Sequence, residues 1–218
     1  MKTVAFIAQK GGVGKTTLAV NLAVAAGKTA LFDLDPQESA VIWADRRQIE
    51  TPHVEFLTER RLSDGLKAAS NQDFALSIID TPPAAGPQAL TAAEAADLVL
   101  VPCRPSLIDL DAIRRTAQLI KSAGIAAYVV FNAAPPGATT LINDARTIVE
   151  STGMSVAPVI LRERSAFRAA WPVGKGVTET EPKGKAASEI EGLRNWVFEQ
   201  LQVCTPARAR KKKATAHG

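Results

Sequence analysis

Cysteine is scarce in this sequence, and its placement excludes several kinds of site. The 218 residues include two cysteines, Cys103 and Cys204, which stand far apart. They match neither the close spacing of metal ligands nor a short disulfide framework. The simplest expectation is a protein of the reducing cytoplasm.

Long hydrophobic runs are also missing. The apolar stretch after Lys2 is interrupted by Gln9 and Lys10, too early for the core of a secretory signal. The longest uncharged run, 125–143, contains Pro135, Pro136 and Gly137, which a membrane span would not favour. We therefore expect a soluble intracellular protein without a membrane-spanning segment.

Acidic residues are absent from the C-terminal end. The last twelve residues carry five cations and no acid: Arg208, Arg210, Lys211, Lys212 and Lys213. Because the whole chain has a net charge of only +4, residues 1–206 carry a small negative charge. The composition predicts a folded domain over 1–205 and a basic, disordered tail over 206–218. The tail is equally compatible with a DNA-binding arm or with a solvated segment without function.

Short apolar runs recur along residues 1–205 and are rich in Val, Ile, Leu and Phe. They predict five buried strands: Val4–Ala8, Ala30–Leu34, Ala75–Ile79, Leu98–Pro102 and Tyr128–Asn132. Two weaker strand patterns are His53–Leu57 and Val156–Ile160. Runs that are apolar on both faces are typical of a parallel sheet covered by helices on each side.

Amphipathic patterns between these runs predict the helices Thr16–Ala26, Asp109–Ala123, Ala138–Ser151 and Lys185–Val203. Asp109 is a candidate N-cap, and Gly124 a candidate C-terminal stop. The alternation predicts a single α/β domain, doubly wound, with a mostly parallel sheet and helices on both faces. Its ligand is expected at the carboxyl ends of the strands.

A glycine-rich loop stands between the first strand and the first helix, where a phosphate cradle is expected. It reads Lys10-Gly11-Gly12-Val13-Gly14-Lys15-Thr16-Thr17. Glycines let backbone N–H groups approach a phosphate, the loop lysine reaches the β/γ oxygens, and the following hydroxyl binds Mg²⁺. Gln9 occupies the position of the first glycine in the ordinary P-loop expression. Lys10, taken alone, is also compatible with a solvated loop lysine.

The sequence K-G-G-V-G-K-T-T resembles the deviant Walker A motif of the ParA/MinD ATPases, and the resemblance extends over about residues 2–202. It implies an ATPase that binds ATP and Mg²⁺ and forms a homodimer when ATP is bound. In that family the first lysine contacts the ATP of the partner subunit, so the resemblance implies that Lys10 acts in trans. Cationic groups at the γ-phosphate suit phosphoryl transfer, which depends on neutralising developing charge.

Carboxylates follow two of the predicted strands. Asp33 and Asp35 lie in D-L-D-P-Q, and Asp80 opens D-T-P-P, both of which resemble family segments. The resemblance implies that Asp33 supports the Mg²⁺ shell, that Asp35 positions the attacking water, and that Asp80 holds Mg²⁺ in a Walker B arrangement. Asp33 could instead be structural and Asp35 an N-cap before a helix from Gln37, and the two sets of roles can coexist.

Asn132 ends the strand run Tyr128–Phe131 and resembles the family asparagine that reads the adenine edge. An amide both donates and accepts hydrogen bonds, as adenine requires. The resemblance places Pro158 beside the base. The alternative for Asn132 is a turn residue at the end of a strand.

The C-terminal third decides which surface the ATPase occupies. MinD-like members bind membrane through a C-terminal amphipathic helix, whereas ParA-like members bind DNA without sequence preference. The predicted last helix carries Glu189, Glu191 and Glu199 beside its apolar stripe, which favours core packing over a membrane contact. Candidate DNA contacts, each also typical of a plain surface charge, are Arg162, Arg164, Arg168 and Lys175.

The position of the motifs and the family resemblance also predict the domains and partners of this ATPase. The catalytic pattern begins at Met1, so we expect no preceding helix-turn-helix domain. The resemblance implies a nucleoid-associated ATPase that binds nonspecific DNA and a ParB-like or other adaptor protein carrying cargo. A MinD-like membrane regulator is the alternative. A redox enzyme would need paired cluster cysteines, and an amidase a further glutaminase part.

Overall fold

The computed structural model describes residues 1–83 and 86–203. Within them, seven parallel strands form one sheet in the order β3-β2-β4-β1-β5-β6-β7. The strands are β1 Lys2–Phe6, β2 Thr29–Asp33, β3 His53–Phe56, β4 Leu76–Asp80, β5 Leu98–Cys103, β6 Ala127–Phe131 and β7 Ser155–Val156. This order confirms the predicted doubly wound parallel sheet.

Nine α-helices occur in these residues. They are α1 Lys15–Ala26, α2 Ser39–Ala44, α3 Leu62–Ser70, α4 Pro87–Glu94, α5 Leu107–Ala123, α6 Thr139–Ser151, α7 Ser165–Ala170, α8 Val177–Thr180 and α9 Lys185–Leu201. Single 3₁₀ turns span Glu59–Arg61 and Trp171–Val173. Buried side chains of α1, α2, α7, α8 and α9 pack on one face of the sheet, and those of α3, α4, α5 and α6 on the other.

The central strand β1 shows why the apolar runs form a sheet buried on both sides. Val4 and Phe6 enter one core, while Ala5 and Ile7 enter the other. Successive side chains of a strand point to opposite faces, so a continuous apolar run is buried only when both faces are covered. Apolar burial at about 25 cal/mol per Å² then stabilises both layers.

Strand β1 lies between β4 and β5, which is the switch point of the doubly wound topology. At its carboxyl end, Phe6 is in register with Asp80, and Asp80 is in register with Asp33 of β2. The loop after β1 therefore begins beside two carboxylates. Ligands of open parallel sheets bind at this crevice.

Several predicted boundaries needed correction. Helix α5 begins at Leu107 with Ser106 as its N-cap, so Asp109 lies inside the first turn and is not the cap. The helix expected from Gln37 begins at Ser39. The strand expected over Val156–Ile160 is only Ser155–Val156, although the N–H groups of Ala157 and Leu161 still donate to the Val129 and Phe131 carbonyls of β6. Gly124, with φ of 68°, ends α5 as expected.

The apolar stripe of α9 belongs to the core. Leu193, Val197 and Leu201 are buried, and Trp196 makes an edge-on ring contact with Tyr128 at 4.9 Å between centroids. Within the described residues this stripe has no free apolar face, in agreement with the core-packing prediction. No helix in the described part of the chain is long and apolar enough to cross a membrane. The predicted tail, 206–218, and Cys204 lie outside the described residues.

Candidate nucleotide site

The glycine-rich loop wraps the start of α1, and Gly14 is its most constrained position. Gly14 has φ of 92° and is the N-cap of α1. A Cβ atom built on Gly14 would lie 2.3 Å from Nδ2 of Asn132. That same Nδ2 donates a 2.7 Å hydrogen bond to the Val13 carbonyl. Only glycine fits here, and the loop is tied directly to the end of β6.

Lys15 lies under the loop with little solvent contact. Its residue is 7% exposed, and burial lowers its pKa, while Asp80 and Asp35 oppose that shift. A buried ammonium is stabilised by an added anion, because the anion compensates the lost hydration. Thr16 and Thr17 follow on the first turn of α1, where backbone N–H groups attract phosphate.

Asp80 provides the clearest indication that the residues of this site fit a cation. Both of its carboxylate oxygens are buried and have no hydrogen-bond partner among the described residues. The pKa of Asp80 is raised to about 7, chiefly by burial and also by the charges of Asp33 and Asp35, although Thr16 and Lys15 act in the opposite direction. Buried polar atoms without partners are rare in folded proteins. A Mg²⁺ ion held through Asp80, Thr16 and nucleotide phosphates would satisfy these oxygens.

The carboxylate of Asp33 accepts hydrogen bonds from the backbone that follows β2. Its Oδ1 accepts a hydrogen bond from the Asp35 N–H at 2.9 Å, and its Oδ2 accepts one from the Ala40 N–H at 2.8 Å. Burial raises the pKa of Asp33, while these backbone donors lower it. The hydrogen bonds are those expected of the structural alternative for Asp33. Its predicted support of the Mg²⁺ shell stays a prediction.

Asp35 is half-buried at the edge of the site. Its Oδ1 accepts a hydrogen bond from the Gln37 N–H at 3.0 Å, which closes a tight turn before α2. An Asp side chain that caps such a turn keeps its second oxygen available. The turn role and a role toward water are therefore compatible, as expected from the sequence.

A cavity of about 260 Å³ opens beside the loop and receives the side chain of Asn132. Gly12, Gly14 and Thr17 border it on the loop side, and Phe167 borders it on the α7 side. A flat aromatic ring and an amide are suitable neighbours for a purine base. Pro158, predicted beside the base, is exposed and is not among the described residues that line the cavity. Its predicted contact with the base stays a prediction.

Three of the four cations predicted to contact DNA also line this cavity: Arg162, Arg164 and Arg168. The guanidinium of Arg164 forms a two-pronged ion pair with Glu189 of α9, and the Arg162 N–H donates to the same carboxylate. The Glu189 contact raises the pKa of Arg164. Arg162 and Arg164 are thus parts of the pocket wall, held in place by α9.

Two of the predicted DNA contacts, Arg168 and Lys175, are more accessible. Arg168 has a side chain 73% exposed and approaches Glu163 at 3.6 Å, a pairing that solvent weakens. Lys175 is exposed after the second 3₁₀ turn. DNA contact by any of the four cations stays a prediction.

Lys10 forms an ion pair with Asp109 of its own chain. The Lys10 side chain is 40% exposed, whereas that of Asp109 is only 4% exposed. Ser106 fixes the carboxylate by donating from its hydroxyl to Oδ2 of Asp109 at 2.9 Å. Sequence reasoning missed this partner, since Asp109 was interpreted only as a helix cap.

Arg104 is a second residue that sequence reasoning passed over. Its guanidinium donates to the Gly12 carbonyl at 2.8 Å, so it braces the phosphate loop from the end of β5. The adjacent Cys103 is buried, and burial raises the pKa of its thiol to about 12. That thiol is therefore unreactive, as expected of a small core residue.

A larger cavity, of about 500 Å³, lies between α2 and β3. Lys28, Arg47, His53 and Phe74 border it, far along the sheet from the glycine-rich loop. The guanidinium of Arg47 donates two hydrogen bonds to the Glu179 carboxylate, at 2.9 and 3.0 Å. The smaller cavity is the one that borders the glycine-rich loop.

Comparison with known protein families shows which family this site belongs to. Residues 4–171 match the CobQ/CobB/MinD/ParA nucleotide binding domain. The chain belongs to this family. The match spans the loop, the three carboxylates and Asn132. Together these establish a ParA/MinD-type ATPase whose cofactors are ATP and Mg²⁺.

Individual relatives cover nearly the whole chain. A maintenance of carboxysome distribution protein A from Gloeobacter kilaueensis is 32% identical over 209 residues, covering 92% of this chain and 94% of the relative. Protein ParA from Rhizobium radiobacter is 29% identical, covering 95% and 99%. The cell division ATPase MinD of Pyrococcus furiosus has the same fold, with a TM-score of 0.70, 20% identity, and coverage of 91% and 98%.

The arrangement suits transfer of a phosphoryl group to water. Lys15 and the N-terminus of α1 can stabilise negative charge, and the buried carboxylate of Asp80 could bind a cation. When bound, Mg²⁺ supplies charge neutralisation at the phosphate oxygens. Asp35 carries a carboxylate oxygen near the same edge of the sheet, where a hydrogen-bond acceptor can orient water.

Proposed function

We propose that this ATPase dimerises around ATP, binds nonspecific DNA as a dimer, and positions a large cargo with the help of an adaptor protein. The observation that carries the proposal is Lys10. It belongs to the phosphate loop, yet its partner within the chain is Asp109 and not a phosphate-binding element. A second loop lysine is useful at a phosphate when another copy of the chain supplies it.

The residue roles in this proposal are those that the family resemblance implies. Lys15 binds the β/γ-phosphate oxygens of its own ATP, and Lys10 contacts the γ-phosphate of the partner subunit. Thr16 and Asp80 hold Mg²⁺, with Asp33 ordering the adjoining loop. Asp35 orients the attacking water, and Asn132 contacts the adenine edge. Partner-stimulated hydrolysis then returns the dimer to monomers.

Two relatives support positioning as the biological role. One is named for carboxysome distribution and the other is a ParA protein. Either a ParB-like protein or another cargo adaptor fits the proposal. Binding to chromosomal DNA would make the ATPase nucleoid-associated. The MinD-like alternative is less favoured because the α9 stripe is buried.

The test is retention on nonspecific double-stranded DNA at physiological salt. Wild type with ATP and the Asp35→Ala variant with ATP should both be retained, and the variant should persist longer because it hydrolyses slowly. Wild type with ADP should elute. Equal retention in ATP and ADP would overturn the proposed cycle. Sedimentation with anionic liposomes in ATP, without DNA retention, would favour the membrane alternative.

A further inference from the structure

The solvent-facing side of α5 carries cations that no sequence motif singles out. The exposed residues in its second half are Arg114, Arg115, Gln118 and Lys121, and we call them the α5 basic face. Arg114, Gln118 and Lys121 are spaced i, i+4 and i+7, and Arg115 lies three residues before Gln118, so the four residues share one broad side of the helix. From Ala112 to Gly124 the sequence contains no Asp or Glu.

These cations are available for an external partner. Within ranges 1–83 and 86–203, the side chains of Arg114, Arg115 and Lys121 form no ion pair. By contrast, Arg164 and Arg168, which the sequence predicts as DNA contacts, pair with Glu189 and Glu163. A paired arginine must leave its carboxylate before it can neutralise a phosphate. The cations of the α5 basic face can bind a phosphate without first breaking an ion pair.

The surroundings provide a groove for a polyanion. A cavity of about 350 Å³ lies between α5 and the end of α6, bordered by Arg114, Gln118, Lys121, Ser151 and Thr152. The hydroxyls of Ser151 and Thr152 donate to their own helix, to Ile148 and Val149. Arg114 and Lys121 are the charged residues among those that line this cavity, and the exposed acids nearest in sequence, Asp111 and Glu150, are not among its lining residues.

The spacing along α5 suits a nucleic-acid backbone. Arg114 and Lys121 are two helical turns apart, about 10 Å along the axis. Duplex DNA presents about six phosphates over that length, counting both strands. Backbone contacts of this kind need clustered cations and carry no base specificity.

We propose that the α5 basic face contacts the sugar–phosphate backbone of nonspecific double-stranded DNA. This inference rests on the proposed DNA-binding function and names its surface. The first turn of α5 holds Asp109, the partner of Lys10, so the basic face extends from the region where a second copy would dock. A dimer would therefore present two such faces, one from each subunit.

An anionic membrane is the competing partner for a basic helix. Interfacial helices carry apolar residues along the length of one side. On α5 the large exposed apolar residues are Leu107 and Ile108, both in the first turn beside Asp109. The second half of the exposed side is polar or charged throughout, which favours DNA.

The experiment uses the full chain in ATP and measures DNA affinity across a salt series. The test variant combines Arg114→Gln, Arg115→Gln and Lys121→Gln. The matched control combines Arg46→Gln, Arg60→Gln and Lys67→Gln, which removes the same charge from exposed positions outside α5. A third variant replaces the five tail cations with Gln, because the tail is also basic. ATP-dependent dimerisation, followed by light scattering, should be unchanged in all three.

The α5 variant should bind DNA at least about 10-fold more weakly at physiological salt. The slope of log affinity against log salt should fall by about 0.9 for each phosphate that the variant no longer neutralises. The control should keep most of the wild-type affinity and slope.

The outcomes separate this inference from the proposed function. If wild type binds DNA in ATP and the α5 variant binds equally well, the α5 inference is overturned while the proposed function stands. If wild type is not retained in ATP, both fail. Loss of liposome binding by the α5 variant, without DNA binding by wild type, would instead assign the face to membrane.

Discussion

Lys10 and Asp109 form an ion pair that connects the phosphate loop to the first turn of α5 within one chain. Ser106 fixes the carboxylate, so the lysine is the more mobile member of the pair. A lysine that serves the partner subunit's ATP must first leave this carboxylate. Under the proposed trans role of Lys10, the pair would therefore oppose dimerisation until ATP offers a stronger partner.

Replacement of Asp109 by Asn should promote the ATP-bound dimer. Without the carboxylate, Lys10 has no charged partner among the described residues of its own chain and is free for the second subunit's phosphate. The dimerisation midpoint should move to about two- to fivefold lower protein concentration, the effect of one partly exposed ion pair. Light scattering in ATP measures the shift, with Asp111→Asn, at an exposed neighbouring position, as the control. A midpoint that moves upward would contradict the opposing role of Asp109.

Replacement of Lys10 by Ala should separate nucleotide binding from dimerisation. Lys15 and the loop backbone remain, so the monomer should bind ATP within about threefold of wild type, a difference below about 1 kcal/mol. The ATP-dependent dimer should disappear, because the γ-phosphate of each subunit lacks its cation from the partner. Nucleotide titration and light scattering measure the two effects. A dimer that persists at wild-type concentrations would reject the trans role.

Replacement of Asp80 by Asn should stabilise the protein when nucleotide and Mg²⁺ are absent. The pKa of Asp80 is about 7 in the folded protein and near 4 when unfolded, so the folded state binds the extra proton between those values. Stability of wild type therefore falls as pH rises from about 4 to 7, and the buried charge is fully present above about 7. The variant should melt at higher temperature at about pH 8, and the difference should shrink toward about pH 4.

Thermal unfolding across that pH range measures the Asp80 effect. Each kcal/mol corresponds to about 2–4 °C in Tm for a chain of this size. The control is Asp64→Asn, an exposed carboxylate with a side chain 82% accessible. The Asp80→Asn variant should also be unable to support Mg²⁺-dependent ATP hydrolysis. A lower Tm than wild type at the alkaline end of the range would show that the attraction between Asp80 and Lys15 outweighs the cost of burying the carboxylate.

Replacement of Gly14 by Ala should disrupt the nucleotide site. The new Cβ would meet Nδ2 of Asn132 at 2.3 Å, and φ of 92° is strained for alanine. ATP affinity should fall by about 10-fold or more, and Tm should fall as well. Gly11→Ala is the matched control for stability, since its Cβ would lie 3.8 Å from Pro83. Similar Tm values for the two variants would contradict the close packing of Asn132 on the loop.

Local patterns were sufficient for the nucleotide site itself. Gly14, Lys15 and Thr16 are consecutive, and Asp33 and Asp80 each end an apolar run, so their chemistry could be deduced without contacts. The parallel sheet then brings those run ends to one edge, as register between Asp33 and Asp80 shows. The short helices α7 and α8 and the end of β7 were harder to predict, because brief segments have weak periodicity.

By itself, the sequence determined the phosphate loop, the seven strand segments, the four longest helices and the family. Tertiary structure decided which charges are paired. Lys10 meets Asp109, Arg164 meets Glu189, and the cations of α5 have no acidic partner among the described residues. Such pairings depend on how α5 and α9 pack against the sheet, over separations that no local period encodes. Partners distant in the chain therefore become visible only when the fold brings them together.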